Sequence, residues 1–454
     1  MNPSVASGVP ERSAGVPEVD LLVIGAGMAG LSAAARAAEA GARVMVVERG
    51  DQVGGSAIHA GFVWTAPTWE VMREVNPDGD PALGRLVVDG FADAVSWIGS
   101  LGVECRPAVT VLRYGRGHQV DTTHYLGQCE RLVKECGGEV LTRTRAEHLL
   151  FDGAVRGAEL RLSDGSGRTV RARWTLLASG GFGGDPGLRA QLIDPQAASI
   201  PLRANRCSDG DGLRMGRDVG AVVGRPGAGF YGHLVPAGVA LSDPSLFVDL
   251  ALYYSEHAVL FNVRGERFVD ETVGDHLTTM ALLEQPQARG LLVADAAVHR
   301  EWITGSYVEG IPGIDKFALA HRRGARCAVA GSLAEFDLIP DDWGYPGAAI
   351  RTAIGEFNET LAGGGSPDPG RAFDRRTLVE PPFYVVEATP AITFTFTGLL
   401  VDASMRVLAE DGSPIPGLLA AGADTGGLYR RAYAGGLAPA LVFGLTAAAT
   451  ATAA

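Results

Sequence analysis

Gly25-Ala26-Gly27-Met28-Ala29-Gly30 restricts this chain more than any other stretch. It follows a continuous apolar run, Val19 to Ile24, and precedes a run of small helix formers, Leu31 to Ala40. Arg43 to Glu48 then reads as a second strand that ends in an acid. Strand, glycine turn, helix and strand make a β-α-β unit with parallel strands buried on both faces. In such a unit Gly25 permits the tight turn, Gly27 lets backbone approach a pyrophosphate, and Gly30 lets helix and strand pack closely. The helix N-terminus offers unpaired N–H groups and partial positive charge to phosphates. Glu48 is placed to accept hydrogen bonds from ribose hydroxyls. NAD and FAD both use this fingerprint, and the motif alone leaves the two open.

Two further segments repeat the strand-to-glycine pattern: residues 168–184, "RTVRARWTLLASGGFGG", and 417–427, "GLLAAGADTGG". One nucleotide-binding domain built from distant pieces is expected. Residues 236–378 differ, being richer in aromatic and charged residues, and end in the helix-like "PGAAIRTAIGEFNETLAGG" and a Pro-Gly linker. The expected organisation is a tail over 1–18, a first nucleotide-domain segment over 19–235, an inserted domain over 236–378, and a second segment over 379–454. The first eighteen residues lack an apolar core and read as a tail, not a signal peptide. A net charge of -13 argues against a nucleic-acid partner. The five cysteines form no C-x-x-C pair, which suits free thiols in a reducing cytoplasm and no metal site. From Ala432 to Ala454 no residue is charged, but the run is Gly, Ala and Thr with few large apolar side chains. A buried terminal helix is expected there, not a membrane span.

An ordered set of motifs adds to the fingerprint: "GGSA" at 54–57, "LLASGGFGG" at 176–184, "SDGDGLRMG" at 208–216, "AVLFNVRGERFVDE" at 258–271 and "GGLYRRAYAGGLAPALVFG" at 426–444. Together they resemble the fumarate reductase/succinate dehydrogenase flavoprotein family, nearest its branch with tricarballylate dehydrogenase and the 3-ketosteroid Δ1-dehydrogenases. The resemblance covers about Val19 to Gly444. It implies an α/β protein with a Rossmann-like, GR2-type FAD-binding domain and an inserted α+β capping domain, with the active site between them. It also implies FAD, bound noncovalently, since the surroundings of His59 do not match a histidyl-flavin motif. The cofactor residues expected are Gly25, Ala26, Gly27, Met28, Ala29, Gly30, Glu48, Arg49, Gly54, Gly55, Ser56, Ala57 and Gly61. To these are added Ala146 at the adenine, Ala178, Ser179, Gly180 and Gly181 near pyrophosphate and ribose, Asp211 near the flavin edge, and Gly422, Gly436 and Leu437. The family often has Glu after the "AAG" strand end; here Ala423 stands there, and Asp424 is expected to take over its hydrogen bond.

The function implied is α,β-dehydrogenation of a small carbonyl- or carboxylate-bearing molecule, by hydride transfer to flavin N5. The alternatives are an ene-reductase and an electron-transfer flavoprotein subunit. No second dinucleotide fingerprint and no iron–sulfur cysteine spacing are found, so an external electron acceptor or donor, or dioxygen, is expected as partner. Three polar anchors of the fumarate reductases are replaced, by Tyr254, Tyr433 and Phe394. Tyr433, His233 and Tyr254 are the catalytic candidates. Arg430 and Arg431 are the candidate carboxylate clamps, with Tyr231, His257 and Phe394 as further substrate contacts.

Overall fold

The computed structural model describes residues 18–305 and 313–453. Apart from Glu18, the expected tail lies outside the described residues. Val19–Ile24 forms a strand whose central Leu21, Leu22 and Val23 are fully buried. It is the middle of a parallel sheet ordered Pro414–Ala420, Gly167–Leu177, Val19–Ile24, Val44–Val47, Glu139–Leu141. The three glycine-ended strands, distant in sequence, are therefore adjacent, and their glycine turns all open at the C-terminal end of the sheet. An antiparallel hairpin, Arg145–Phe151 with Val155–Arg161, extends from Gly167–Leu177, and Arg406–Leu408 flanks the far side.

The helix Met28–Glu39 follows the first glycine turn. Against it lies the terminal helix Leu437–Thr452, so close that a side-chain carbon on Gly444 would stand 2.4 Å from the carbonyl oxygen of Ala29. The uncharged C-terminal run is thus a buried helix. Among the described residues no helix is long and apolar enough to cross a membrane.

A second, antiparallel sheet contains Phe230–Pro236, Phe383–Thr395, Gly290–Ala294 and Val259–Asn262, with Cys327–Ala330 also paired to Phe383–Thr395. It has its own apolar core, including Leu234, Phe261, Leu292 and Val385. The expected helix is present as Gly347–Ala362. The fold class is the one expected: a Rossmann-like α/β unit joined to an α+β unit. The strand Phe383–Thr395 is thirteen residues long. It pairs along its whole length within the second sheet, and its far end, beside Phe230 and Tyr231, carries Phe394 and Thr395 to the cavity between the units.

Candidate active site

A cavity of about 1080 Å³ runs from the glycine turns to the second sheet. That is at or above the ~300–1,000 Å³ of ordinary small-molecule pockets, as a dinucleotide plus a substrate requires. One end is lined by Gly25, Gly27, Met28, Ala29, Glu48, Arg49 and Ala146. Gly25 has φ +107°, and a Cβ on it would stand 2.2 Å from the Ala178 carbonyl oxygen; on Gly30 it would stand 1.9 Å from that of Gly25. Gly30, Ala26 and Gly54 shape the turn without lining the cavity, while Gly25 does both. Gly27 differs: a Cβ there meets only the Gly54 carbonyl oxygen, at 4.0 Å, and points into open space. The helix it opens has no side-chain cap and no acid in its first turn, so its N-terminal charge is left for a ligand. Glu48 is buried, accepting from Ala26 N (2.9 Å) and Gly50 N (2.7 Å), with lone pairs left toward the cavity. Gly55, Ser56, Ala57, Gly61, Ala178, Ser179, Gly180, Gly422, Gly436 and Leu437 continue the lining. Thr395, which also lines it, has a buried hydroxyl without a partner among the described residues. Open glycine, uncapped helix and orphaned hydroxyl together fit FAD.

Three expectations at this end change. Asp211 lines the cavity but is bound by Arg49 (3.1 Å) and doubly by Arg145 (2.6 and 3.0 Å), beside Ala146 and Glu48. It belongs to the Glu48 end rather than beside the aromatic cluster. Asp424 does not line the cavity. Its carboxylate accepts from Ser179 N, Ser179 Oγ (3.0 Å) and Gly181 N (3.0 Å). It ties one glycine turn to another, and burial raises its pKa against the pull of those bonds. Gly181 likewise faces Ala423 and Thr395, not the cavity.

The other end is aromatic. Gly435, at φ +101°, passes so near Trp64 that a Cβ would stand 2.0 Å from its carbonyl oxygen. Tyr114 Oη donates to the Tyr433 carbonyl (2.5 Å) and Tyr429 Oη to that of Gly435 (2.8 Å). This turn aims the buried Tyr433 ring into the cavity, stacked on Tyr231 at 3.8 Å and edge-on to Trp64 at 5.3 Å. Burial holds the Tyr433 phenol well above its ordinary pKa, so it is a neutral donor and not a phenolate. Tyr231 pairs across the sheet with Phe394, their rings 5.6 Å apart.

Both Tyr231 and His233 come from Phe230–Pro236 and line the cavity. His233 Nδ1 is hydrogen-bonded to Asp275, which also accepts from Leu234 N (3.3 Å) and Ser255 Oγ (3.4 Å). Burial pushes Asp275 up to about 7 and His233 well below its usual value. The two therefore share a proton and are not a fixed ion pair. His276, next to Asp275, also faces the cavity and is pushed down to about 4 by burial.

Several sequence-predicted contacts lie elsewhere. Tyr254 is packed in the second core, and its neighbour Tyr253 lines the cavity instead; a short helical turn over Tyr253–His257 decides which faces in. His257 bonds Asp374 (2.5 Å) and stacks on Trp302, outside the cavity. Arg430 and Arg431 are exposed, and Arg431 pairs with Glu284 (2.5 Å). Neither faces the cavity. Sequence reasoning missed Trp64, Arg203, Tyr253, Asp275 and His276, all of which line it. Arg203 lies five residues before the "SDGDG" landmark, and Asp275-His276 opens a helix directly after Gly274; those were the available signals.

The FAD-binding domain family matches residues 20–436. The chain belongs to that family, its cofactor is FAD, and it is an FAD-dependent oxidoreductase. It is similar to urocanate reductase of Eggerthella lenta, 27% identical over 462 residues, covering 92% of this chain and 72% of that one. It is similar also to the fumarate reductase (cytochrome) of Shewanella frigidimarina, 26% identical over 454 residues, covering 92% and 74%. The solved structure of 3-ketosteroid-delta4-(5alpha)-dehydrogenase from Rhodococcus jostii, in complex with 4-androstene-3,17-dione, matches with a TM-score of 0.77 at 21% identity over 100% of both chains, a likeness of fold.

Proposed function

We propose that the protein interconverts a CH–CH pair and a C=C bond next to a carbonyl or carboxylate, acting as an α,β-dehydrogenase of a small molecule. The observation that carries this is the meeting, at one end of the cofactor cavity, of the Tyr433 phenol, kept neutral by burial, and the buried, hydrogen-bonded His233–Asp275 pair, whose acid is pushed up by burial. FAD, when bound, supplies a two-electron hydride acceptor or donor. Gly27, the N-terminus of the helix after it, Glu48, Ser56 and the turn at Ala178–Gly180 would hold it.

The chain's own residues then have three tasks. Tyr433 donates a hydrogen bond to the substrate oxygen and stabilises the negative charge that grows there as the neighbouring carbon loses its proton. His233 moves that proton through Nε2, since Nδ1 is occupied by Asp275. Asp275 is a positioning residue: it fixes the imidazole and sets the proton affinity of the pair. Tyr231, Tyr253, Phe247 and Phe394 exclude water from the end where this happens. Electrons leave to, or arrive from, an external partner or dioxygen.

A second reading uses the same groups in reverse, with the His233–Asp275 pair as acid. It is favoured by relatives named urocanate reductase and vinyl phenol reductase. Anaerobic mixing separates the two. Oxidised holoenzyme bleached by a saturated acid or ketone supports dehydrogenation. Photoreduced holoenzyme reoxidised by an α,β-unsaturated acid or ketone supports reduction. A flavin that responds to neither group would sink both and leave electron transfer to a partner.

A further inference from the structure

We propose that Arg203 is the substrate anchor, that it binds a carboxylate, and that the substrate is therefore an organic acid with the reacting carbon pair beside its carboxylate. The inference rests on the C–C oxidoreductase reading and narrows it from carbonyl or carboxylate to carboxylate.

Arg203 is 8% exposed and lines the aromatic end of the cavity. Its backbone is fixed by a hydrogen bond from its N–H to the Ile392 carbonyl (2.7 Å), on the long strand that also carries Phe394. Its guanidinium donates to the Phe247 carbonyl (2.9 Å), Thr393 Oγ1 (3.2 Å) and Tyr253 Oη (3.4 Å). All three partners are neutral. A guanidinium has five N–H donors, and among the described residues no carboxylate pairs with this one. Buried charge is ordinarily paired. Arg371, still more deeply buried, lies 3.2 Å from Glu271. Arg189 is also buried without an acid, but it is turned to the Ile200 and Ala198 carbonyls and does not line the cavity. Arg203 alone of these three opens into the site.

The acids at this end do not pair with it, although Asp275 feels its charge through space. Glu256 is taken by Arg113 at 2.8 Å, and Asp275 shares its proton with His233. A second cation, Lys316, stands 5.2 Å from the Tyr253 ring centroid and, among the described residues, donates to the Val248 and Asp249 carbonyls. The field of Arg203 reaches His233, Tyr231 and Tyr433, so an anion held by it lies beside both proton-transfer candidates. With aromatic walls the attraction is little screened. Arg203, and not the exposed Arg430 or Arg431, meets the requirement for a bidentate clamp.

The test uses oxidised FAD-loaded protein and pairs of probes that differ only in charge: acrylate with acrylamide, cinnamate with cinnamamide, fumarate with fumaramide. Binding is read by flavin difference spectra and calorimetry, without turnover. Wild type is expected to bind at least one acid about tenfold or more tighter than its amide. Arg203→Gln should weaken that acid by about 10- to 100-fold while moving the amide less than about threefold. Arg203→Lys, which keeps the charge and guards against misfolding of the first variant, should retain the acid preference at reduced affinity. The proposal is overturned if no acid binds, if acid and amide bind alike, or if Arg203→Gln weakens both equally. Preference for acids without any flavin redox response would keep the anchor and discard the oxidoreductase reading. Reoxidation by neutral enones without acid preference would do the reverse.

Discussion

Replacing Gly27 by Val separates folding from cofactor binding more cleanly than any other change in the fingerprint. Gly27 has φ −86° and ψ −165°, an extended conformation open to a β-branched residue. Its new Cβ would meet only the Gly54 carbonyl oxygen at 4.0 Å. The apoprotein should therefore lose no more than about 1 kcal/mol, the cost of a poor N-cap residue. The remaining side-chain atoms occupy the space in front of the first-turn N–H groups. Holding a diphosphate one side chain's width away forfeits about two charge-assisted hydrogen bonds, about 3–6 kcal/mol. That corresponds to roughly 10²- to 10⁴-fold in Kd. The assay is the FAD-to-protein ratio after purification and after titration with FAD, beside thermal melting of the apoprotein. Gly25→Ala is the contrast: at φ +107° and 2.2 Å from the Ala178 carbonyl oxygen, it should destabilise the fold itself. A Gly27→Val protein with wild-type flavin content would refute the placement of the diphosphate. An apoprotein that melts many degrees lower would refute the claim that Gly27 serves the ligand and not the turn.

Tyr433→Phe should keep fold and FAD yet lose about 10²–10³ in turnover, as removal of a charge-stabilising donor does; unchanged turnover with an established substrate would exclude the phenol. Arg430→Ala and Arg431→Ala should leave KM within about twofold, because exposed groups and surface ion pairs contribute little. Heat or acid should release the flavin from the polypeptide; flavin that stays attached would point to His59, the histidine that lines the cavity beside the Gly55–Ala57 loop. Asp275 is an acid whose pKa is raised by folding, so its contribution to stability is greatest below its unfolded value near 3.8 and is lost as pH rises toward about 7. The melting temperature of wild type relative to Asp275→Asn should therefore fall between about pH 4 and 7, and a constant difference would contradict the burial argument. In the dehydrogenation direction kcat/KM should rise through an apparent pKa of about 7 and flatten in Asp275→Asn.

The cofactor half of the site was legible because its determinants are local. Gly25, Gly27, Gly30 and Glu48 sit within one β-α-β unit, where a short glycine pattern and a terminal acid dictate both backbone path and ligand. The substrate half is assembled from Arg203, Tyr231, Tyr253, Asp275, Phe394 and Tyr433, on segments that only the tertiary fold joins. Tandem residues show the difficulty. Tyr253 and Tyr254 are equivalent as letters, and one short turn sends the first to the cavity and the second to the core. Arg430 and Arg431 precede Gly435 and Gly436, which do face the cofactor cavity, but Arg431 takes a positive φ and leaves with its charge outward. Asp424 illustrates the opposite error: its position beside the missing Glu suggested a cofactor contact, whereas the glycine turn at Ser179–Gly181 takes it as an acceptor.

The two halves also differ in how charge is handled, and that difference bears on mechanism. At the Glu48 end, Arg49, Arg145, Asp209 and Asp211 form a closed network in which each charge has an opposite neighbour. Such a network shapes the wall of the cavity and is indifferent to a redox change nearby. At the aromatic end the charges are few and incompletely matched: Arg203 with neutral partners, Lys316 pushed down to about 8, and Asp275 pushed up to about 7, each shifted mainly by burial in the latter two cases. Low dielectric makes each of these responsive to one added charge. An acid arriving at Arg203 would add that charge beside His233 and Asp275, favouring the protonated state of the pair. Binding and proton uptake are thereby coupled, and the pair is loaded in the state from which it can return a proton to carbon. For dehydrogenation the same coupling holds the abstracted proton until product leaves. A calorimetric titration in buffers of different ionisation enthalpy should detect proton uptake near pH 7 when an acid binds, and none in Asp275→Asn.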